Sequence, residues 1–182
     1  MRIISGLRRG LKLISFEGDA IRPTTDRVKE SVFNLIQEFV SDSDVLDLFG
    51  GSGALSLEAL SRGAKKAVIV DNNKNSVDVI KKNIGLTGFS EETEVFYTTA
   101  EEFLKKTDRC FDIIFLDPPY NKGFVVPILE TVFKKGLLNQ EGIAVLESDY
   151  RDDHGEIPGA EILKQRKYGR TYITIYKRKA EE

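Results

Sequence analysis

The chain has 182 residues, of which 41% are hydrophobic and 31% are charged, and this is the composition of a globular domain of ordinary size. No apolar run approaches the roughly 20 residues that cross a bilayer, and the first residues lack the apolar core of a secretory signal, so we expect a cytoplasmic protein. A single cysteine excludes an internal disulfide, and together with a single histidine it argues against a metal site.

The first 40 residues are predicted to form a hairpin followed by a helix. Residues 2–15 are typical of a short β-hairpin, with Gly6 and Gly10 bracketing its turn. Residues 22–26 have the features of a helix start, because a proline stiffens the entry and a threonine or aspartate can cap the first free N–H groups. Apolar residues then recur at helical spacing over residues 28–39. We treat residues 1–40 as an N-terminal extension of a single domain that spans residues 1–182.

The catalytic core, residues 41–182, alternates between apolar strands and amphipathic helices. Strands are predicted over residues 45–49, 67–70, 94–97, 111–116 and 142–147, and helices over residues 54–62, 74–86, 100–106 and 124–135. This rhythm predicts an α/β, Rossmann-like, mostly parallel sheet with helices on both faces. Residues 160–167 and 171–177 have no helix between them, so they predict a terminal hairpin and an antiparallel last strand. Tyr172 and Tyr176 alternate at strand spacing and are predicted to lie on the sheet surface.

A glycine-rich segment, residues 47–53, follows the first core strand and opens a helix. Its glycines Gly50, Gly51 and Gly53 permit a tight turn and let the backbone approach a ligand closely. The third glycine of the dinucleotide fingerprint is replaced by Ser56, and no Gly-Lys-Ser/Thr follows. The loop therefore suits a nucleoside better than a pyrophosphate.

The next strand ends at Asp71, at the spacing where nucleotide-binding α/β folds place an acid that accepts hydrogen bonds from ribose hydroxyls. The alternative is that Asp71 only caps the following helix, although Asn72 or Asn73 can do so equally well.

A rigid turn, Asp117-Pro118-Pro119-Tyr120, follows another buried strand. Two successive prolines cannot continue a strand ladder, so the chain leaves the sheet at Asp117. In open α/β sheets this carboxyl edge is where ligands bind. An acid, a fixed backbone and an aromatic ring are thus presented together at a candidate active site, with an ordinary strand-ending turn as the alternative.

Basic residues are concentrated at both ends of the chain, although the net charge is −2. Residues 1–16 and 162–180 contain arginines and lysines but no acid, and such segregation can create a basic face for nucleic acid. The alternative is that basic ends keep edge strands soluble. The candidate RNA-binding residues are Arg8, Arg9, Arg22, Arg27, Lys164, Arg166, Lys167 and Arg170.

The glycine loop, Asp71 and the Asp-Pro-Pro-Tyr tetrad together resemble S-adenosylmethionine-dependent methyltransferases that act on exocyclic amino groups. Three further segments, Arg2-Ile3-Ile4-Ser5-Gly6, Arg22-Pro23-Thr24-Thr25-Asp26-Arg27-Val28 and Lys167-Tyr168-Gly169-Arg170-Thr171, are similar to the bacterial 16S ribosomal RNA guanine-N2 methyltransferases. That resemblance spans nearly the whole chain. The tetrad by itself is shared with DNA adenine, rRNA adenine and protein glutamine enzymes.

The resemblance implies a seven-stranded class I methyltransferase sheet, S-adenosylmethionine as methyl donor with S-adenosylhomocysteine as product, and 16S rRNA within a small-subunit ribonucleoprotein particle as partner. It implies that Asp47 and the backbone of residues 49–53 face the methionine part of the cofactor, and that Thr99 and Ala100 flank its adenine. Family members often carry Asp or Asn where this chain has Thr99, so the Ala100 N–H is the candidate adenine contact. The cofactor-binding candidates are Asp47, Phe49, Gly50, Gly51, Gly53, Asp71, Asn72, Thr99, Ala100 and Asp117.

The catalytic candidates are Asp117, Pro118, Pro119 and Tyr120. We hypothesise that the Asp117 carboxylate and the Pro118 carbonyl accept the two N–H bonds of a guanine amine, which turns its lone pair toward the methyl group, while Tyr120 stacks on the base. Two alternatives stay open: methylation of another amine (in DNA adenine, other RNA or protein glutamine), and an RNA-binding adaptor without catalysis.

Overall fold

Seven strands form one sheet in the order β3-β2-β1-β4-β5-β7-β6 in the computed structural model, which describes residues 1–15, 26–119, 123, 125–149 and 155–180. The strands are β1 (Asp44–Asp47), β2 (Lys66–Asp71), β3 (Thr93–Tyr97), β4 (Phe111–Leu116), β5 (Leu138–Asp149), β6 (Ala160–Tyr168) and β7 (Thr171–Arg178). The helices are α1 (Asp26–Leu35), α2 (Gln37–Val40), α3 (Ala54–Ser61), α4 (Lys74–Thr87), α5 (Ala100–Lys106) and α6 (Val125–Lys134), preceded by a 3-10 turn over Gly6–Arg8.

The first five strands are parallel, and β7 lies antiparallel between β5 and β6. This confirms the predicted Rossmann-like sheet and its antiparallel last strand. The chain moves outward from β1 through β2 to β3 and then returns to the other side of β1 with β4. That reversal is the topological switch point at which open α/β sheets bind ligands.

Two apolar cores cover the two faces of the sheet. Helices α1 to α4 pack on one face, and their core includes Phe33, Leu57 and Ile80. Helices α5 and α6 pack on the other face, around Leu104 and Ile128. Strand residues alternate between the two cores because successive side chains of a strand point to opposite faces.

The N-terminal segment folds back on itself as predicted, but it does not form a ladder. A single antiparallel bridge joins Arg2 and Lys12, and the Ile3 N–H donates to the Leu11 carbonyl at 2.9 Å. The turn contains the 3-10 helix, which begins at Gly6 with a φ of +81°. That backbone conformation favours glycine. Any larger residue is also excluded by its neighbours, because a Cβ would lie 1.7 Å from the Ser61 carbonyl oxygen.

Apart from shifts of one or two residues at element ends, three predictions differ from the structure. The helix over residues 28–39 is broken at Ile36, whose φ of −112° and ψ of 12° leave the helical region and allow α1 and α2 to face the same core. Strand β5 begins at Leu138, earlier than predicted, because it pairs with Phe111 ahead of a register shift in β4. The surface prediction is wrong for Tyr176, which is 4% exposed within the α6-side core.

No helix in the described part of the chain is both long and apolar enough to cross a bilayer.

Candidate active site at the carboxyl edge of the sheet

Three aspartates meet at the carboxyl edge of the central strands. Asp47 ends β1 and pairs with Ile69 of β2 and with Phe115 of β4. Asp71 and Asp117 each lie two residues beyond those partners, on either side of the β1 strand end. The predicted acids of three separate motifs are therefore neighbours, because parallel strands end at the same edge of a sheet.

The glycine loop that follows β1 is held by its own amide groups. The Gly50 N–H donates to the Val70 carbonyl at 2.9 Å, and the Gly51 N–H donates to Asp71 Oδ2 at 2.8 Å. The Gly53 N–H donates to the Gly50 carbonyl at 2.7 Å, and the Phe49 N–H donates to Asp47. These amides are already used within the protein, so they are not available to bind a phosphate.

Glycine is required in this loop for two different physical reasons. At Gly50 a Cβ would lie 2.4 Å from the Ile69 side chain, so the loop packs against β2 only without one. Gly53 has a φ of +79° and is the N-cap residue of α3. An L side chain is strained in that region, so Gly53 sets the direction in which α3 leaves the loop.

Asp47 is the most deeply buried of the three acids, with 1% of its surface exposed. Its Oδ2 accepts a hydrogen bond from Ser56 Oγ at 3.0 Å, and its Oδ1 accepts a longer one from the Phe49 N–H at 3.4 Å. Burial raises the pKa of Asp47 above its ordinary 3.8, and the charges of Asp117 and Asp71 add to that rise. The hydrogen bonds from Ser56 and the Phe49 N–H oppose it, and the net pKa is about 7. A nearby cation would reverse this shift.

Asp71 connects the glycine loop with the start of α4. One carboxylate oxygen accepts from the Gly51 N–H and the other accepts from the Asn73 N–H, both at 2.8 Å. Burial raises the pKa of Asp71, and these hydrogen bonds oppose that rise. The helix cap is Asn73, whose Oδ1 accepts from the amides of Asn75 and Ser76. Asp71 is therefore not the cap, and its carboxylate, which also interacts with the Ser76 side chain, keeps acceptor capacity for a ligand.

The tetrad begins at Asp117, which is partly exposed at the end of β4. Pro118 is buried and Pro119 is exposed, so the turn is anchored on one side and open on the other. Strand β4 is fixed beneath it, since the Leu48 N–H donates to the Phe115 carbonyl at 3.1 Å. Tyr120 lies outside the described residues.

The third strand brings the predicted adenine-side residues to the same edge. The Thr98 N–H donates to the Asp71 carbonyl at 3.1 Å. Thr99 is the N-cap of α5, and its Oγ1 accepts from the Glu102 N–H at 3.2 Å. Ala100 is buried in the first turn of that helix, where amides have no intrahelical acceptor. Asn72 is exposed beside Asp71.

Two buried polar residues to which the sequence analysis gave no role, Ser56 and Asn83, support the glycine loop. Ser56, which breaks the dinucleotide fingerprint, is the hydroxyl that binds Asp47. Asn83 is fully buried on α4; its Oδ1 accepts from the Ile14 N–H, and its Nδ2 donates to the carbonyls of Ile14 and Ser52. The sequence does contain a signal for Asn83, because a polar residue at helical spacing among apolar ones indicates a buried polar contact.

A third overlooked residue, Glu58, fastens the N-terminal segment to α3. It is fully buried and accepts from the N–H groups of Ile4 and Ser5 at 2.8 Å and 3.0 Å. It also pairs with the ammonium group of Lys29 at 3.1 Å and with the guanidinium group of Arg62 at 2.7 Å. Burial lowers the pKa of Lys29, against the effect of Glu58. The pair joins the N-terminal segment, α1 and the helix that follows the glycine loop.

The predicted RNA-binding residues of the N-terminal region are described in part. Arg8 contacts the Thr87 carbonyl through Nε and lies 5.4 Å from the Phe89 ring centroid, so it packs against the end of α4. Arg9 and Arg27 are exposed. Arg22 lies outside the described residues.

The C-terminal basic residues do not share one face of the hairpin. Lys164 and Arg166 pair with Ile175 and Ile173, whose side chains belong to the core on the α1 face, whereas Lys167 pairs with Tyr172 on the opposite face. The Lys164 ammonium also binds Glu38 at 3.2 Å, and Arg170 binds Asp149 at 3.6 Å. The Arg166 guanidinium donates a hydrogen bond to the carbonyl of its chain neighbour Gln165.

The carboxyl edge of the sheet is acidic beside the glycine loop. Among the described residues, no cluster of histidine, cysteine and acidic groups is suited to hold a metal ion. Carboxylates that are buried beside a loop whose amides are already bonded favour a ligand with positive charge and hydroxyl groups. They disfavour a pyrophosphate, which needs free amides and suffers repulsion from acids.

Comparisons with known proteins agree with this geometry. Residues 1–177 match the family described as conserved hypothetical protein 95. The ribosomal RNA small subunit methyltransferase D of Escherichia coli K12 is 33% identical over 182 residues, which cover 100% of this chain and 91% of that protein. The protein of the same name from Haemophilus influenzae is 37% identical over 152 residues, which cover 82% and 79%. The solved structure of Escherichia coli yhhF has a TM-score of 0.89 at 32% identity and covers 100% and 99%.

Proposed function

This chain belongs to the family described as conserved hypothetical protein 95 and to the ribosomal RNA small subunit methyltransferase D family, and on that premise we propose that it methylates the exocyclic N2 amine of a guanine in 16S rRNA. S-adenosylmethionine is the methyl donor and S-adenosylhomocysteine is the product. We propose a small-subunit ribonucleoprotein particle in the cytoplasm as the substrate.

The observation that carries the proposal is the set of three aspartates around the glycine loop. The donor bears two positive groups, a sulfonium and an ammonium, and two ribose hydroxyls. Asp47 and the loop backbone from Phe49 to Gly53 suit the cationic methionine part, and the remaining acceptor capacity of Asp71 suits the ribose. Asn72, Thr99 and Ala100 line the adjoining strand ends, where the adenine would lie.

The acceptor chemistry is assigned to the tetrad. When bound, S-adenosylmethionine supplies an electrophilic methyl group that is already activated, so the protein mainly has to aim the acceptor. A guanine amine is a poor nucleophile because its lone pair is delocalised into the ring. The Asp117 carboxylate and the Pro118 carbonyl accept its two N–H bonds, and the carboxylate can take the released proton.

Two features of the tetrad hold that geometry. The φ angles of Pro118 and Pro119 are fixed by their rings, so the accepting carbonyl does not rotate away. Tyr120 stacks on the guanine and contributes roughly 1–3 kcal/mol to its binding. The base has to leave its helix or stack before its amine can reach the edge of the sheet.

Contact with RNA is assigned to the basic ends and to α1. The residues proposed to bind phosphates are Arg9, Arg22, Arg27, Arg166 and Lys167. Arg8, Lys164 and Arg170 are proposed to bind them as well, with smaller roles because each already bonds to a protein group. Because the hairpin presents its cations on two faces, one strand of RNA does not cover them all. Recognition of an assembled particle fits this arrangement better than recognition of one linear site.

The proposal is tested by methyl transfer from labelled S-adenosylmethionine to small ribosomal subunits from a strain that lacks the enzyme. Large subunits, DNA and protein serve as control substrates, and Asp117→Ala serves as the control enzyme. We expect N2-methylguanine in 16S rRNA, identified by mass spectrometry. A methyl group on adenine, DNA or glutamine would assign another substrate, and cofactor binding without transfer to any substrate would indicate a non-catalytic adaptor.

A further inference from the structure

A small cavity lies between the first turns of α1 and the β6–β7 turn. Its volume is about 420 Å³, within the roughly 300–1,000 Å³ that is usual for small-ligand sites. It is lined by Arg27, Val28 and Ser31 of α1 and by Lys167, Tyr168 and Gly169. Each side contributes a cation, and the β6–β7 side also contributes an aromatic ring.

The cavity lies on the same edge of the sheet as the three aspartates but is separate from them. Tyr168 pairs with Thr171, and Thr171 pairs with Asp149 at the end of β5. That row lies two residues beyond the level of Asp117, because Leu116 pairs with Leu146. Tyr168 is also three strand spacings from β4, which is about 14 Å at roughly 4.8 Å per spacing. A group bound in the cavity is therefore not the methylated amine.

The lining residues have the chemistry of a nucleotide site. Arg27 is exposed, and its guanidinium has no ion pair among the described residues. The Ser31 hydroxyl donates to the Arg27 carbonyl at 2.9 Å, so its oxygen is left as an acceptor for a sugar hydroxyl. Tyr168 is half-buried against the α1-side core, which fixes its ring. Any of the four bases can stack on such an aromatic ring, so this contact does not depend on the RNA sequence.

The β6–β7 side of the cavity shows where the ligand enters. Gly169 has a φ of +62°, and a Cβ built on it would meet nothing within 4 Å, so the turn side of the cavity is open. The Lys167 ammonium lies 5.7 Å from the ring centroid of Tyr172, on the other face of the hairpin. Arg27 is therefore the cation assigned to a phosphate inside the cavity, whereas Lys167 lines the cavity with its ammonium directed toward Tyr172.

We propose that this cavity binds one nucleotide of single-stranded RNA that flanks the target guanine, with its phosphate on Arg27, its base on Tyr168 and its sugar hydroxyl near Ser31. The inference rests on the proposed function for its RNA substrate. It adds a second anchoring point on the same edge of the sheet, and anchoring of a neighbouring nucleotide keeps the target base splayed out beside Asp117.

The test compares Arg27→Ala and Tyr168→Leu with a charge-matched control, Lys81→Ala, which removes an exposed lysine on α4. Two quantities are measured for each variant: KM for small subunits, and the affinity for a labelled single-stranded oligoribonucleotide as a function of salt. Affinity for S-adenosylhomocysteine and urea unfolding are measured in parallel. Arg27 is exposed, so its variant is expected to fold even if Tyr168→Leu does not.

We expect Tyr168→Leu to raise KM roughly tenfold, which corresponds to about 1.4 kcal/mol and is within the range for a stacked base. Arg27→Ala should lower the salt slope of RNA affinity by about 0.7, the value for one phosphate of a single strand. Cofactor-product affinity should not change in either variant.

The result that overturns the inference is a KM and a salt slope in both variants equal to those of Lys81→Ala, with methylation by the unmodified enzyme intact. If the unmodified enzyme transfers no methyl group, the proposed function fails instead. The oligoribonucleotide measurement requires no turnover, so it still decides whether the cavity binds RNA. If a free mononucleotide displaces the labelled oligoribonucleotide as well as an unlabelled oligoribonucleotide does, the cavity binds a soluble nucleotide rather than RNA.

Discussion

Asp47→Asn is the substitution for which the structure gives the sharpest expectation. The Asp47 carboxyl is buried beneath the glycine loop, and burial together with the neighbouring carboxylates raises its pKa to about 7. Asparagine has nearly the same shape and can keep a hydrogen bond to Ser56, but it does not titrate. The two proteins should therefore differ in how their stability depends on pH.

The sign follows from proton linkage. Below about pH 4 the carboxyl is protonated in the folded and the unfolded chain alike. Between about pH 4 and pH 7 the folded chain retains a proton that the unfolded chain releases, so the free energy of unfolding falls by about 1.4 kcal/mol per pH unit. Above about pH 7 both states are ionised and the slope vanishes. The stabilisation that is present in acid is lost as the pH rises through the folded pKa.

The magnitude over the full interval is about 4 kcal/mol, since the pKa rises from 3.8 to about 7 at 1.36 kcal/mol per unit. In the accessible range, the unfolding free energy of the unmodified protein relative to Asp47→Asn should fall by about 2 kcal/mol from pH 5 to pH 7, where the folded carboxyl is half ionised. It should fall by only a few tenths of a kcal/mol more by pH 8. Titrating groups that do not interact with Asp47 contribute equally to both proteins and cancel in the difference.

Urea unfolding at constant ionic strength, in half-unit steps of pH, measures this difference directly. Asp78→Asn, an exposed acid on α4, is the matched control and should show a flat difference from the unmodified protein. A difference for Asp47→Asn that is flat from pH 5 to pH 8, or that grows with pH, would refute the argument. It would mean that the carboxyl is solvated or already paired with a cation.

Three further predictions concern the site and its support. Asp117→Ala should lower turnover at least about 100-fold, because an amine without its acceptor is misaimed, whereas Tyr120→Phe should be mild in the same methyl-transfer assay; a large loss in the phenylalanine variant would assign a role to the hydroxyl instead. Lys29→Met should lower the free energy of unfolding by roughly 1–3 kcal/mol, because Glu58 loses one of its two cationic partners but keeps Arg62 and the amides of Ile4 and Ser5; combined with Glu58→Gln it should cost less than the sum of the two single losses, and an additive double variant would contradict the pairing. Asn83→Leu removes the three hydrogen bonds of a fully buried amide side chain and should cost at least about 2 kcal/mol in the same unfolding measurement, and unchanged stability would show that water replaces the amide.

Much of the fold was predictable from local patterns. The bounds predicted for α5 and β4 match the structure, since both segments carry a clear period and definite end signals. The antiparallel insertion of β7 also followed from the absence of a helix after β6. The break at Ile36 was not predictable, because residues 28–39 keep their helical spacing across it and the break depends on packing against a distant sheet.

The residues that hold the site in place were harder to predict from the sequence. Ser56 attracted notice only as a missing glycine, and its bond to Asp47 depends on α3 leaving the loop at the angle that Gly53 sets. Glu58 looked like an ordinary helix acid. Its partners, the Ile4 amide and the Lys29 ammonium, lie 54 and 29 positions earlier in the chain, so no local pattern connects them.

The sequence by itself determined which residue types stand at strand ends: Asp47, Asp71 and Asp117 each follow an apolar run, and parallel strands have to bring those ends to one edge. Local periodicity and turn chemistry suffice for that, because they act between residues that are close in the chain. Only the tertiary structure decided that the loop amides are already used, that Asp47 is buried enough to titrate near neutral pH, and that α1 and the β6–β7 turn enclose a cavity. Burial and hydrogen bonding between distant segments depend on how helices pack on the sheet, and a linear pattern does not contain that information.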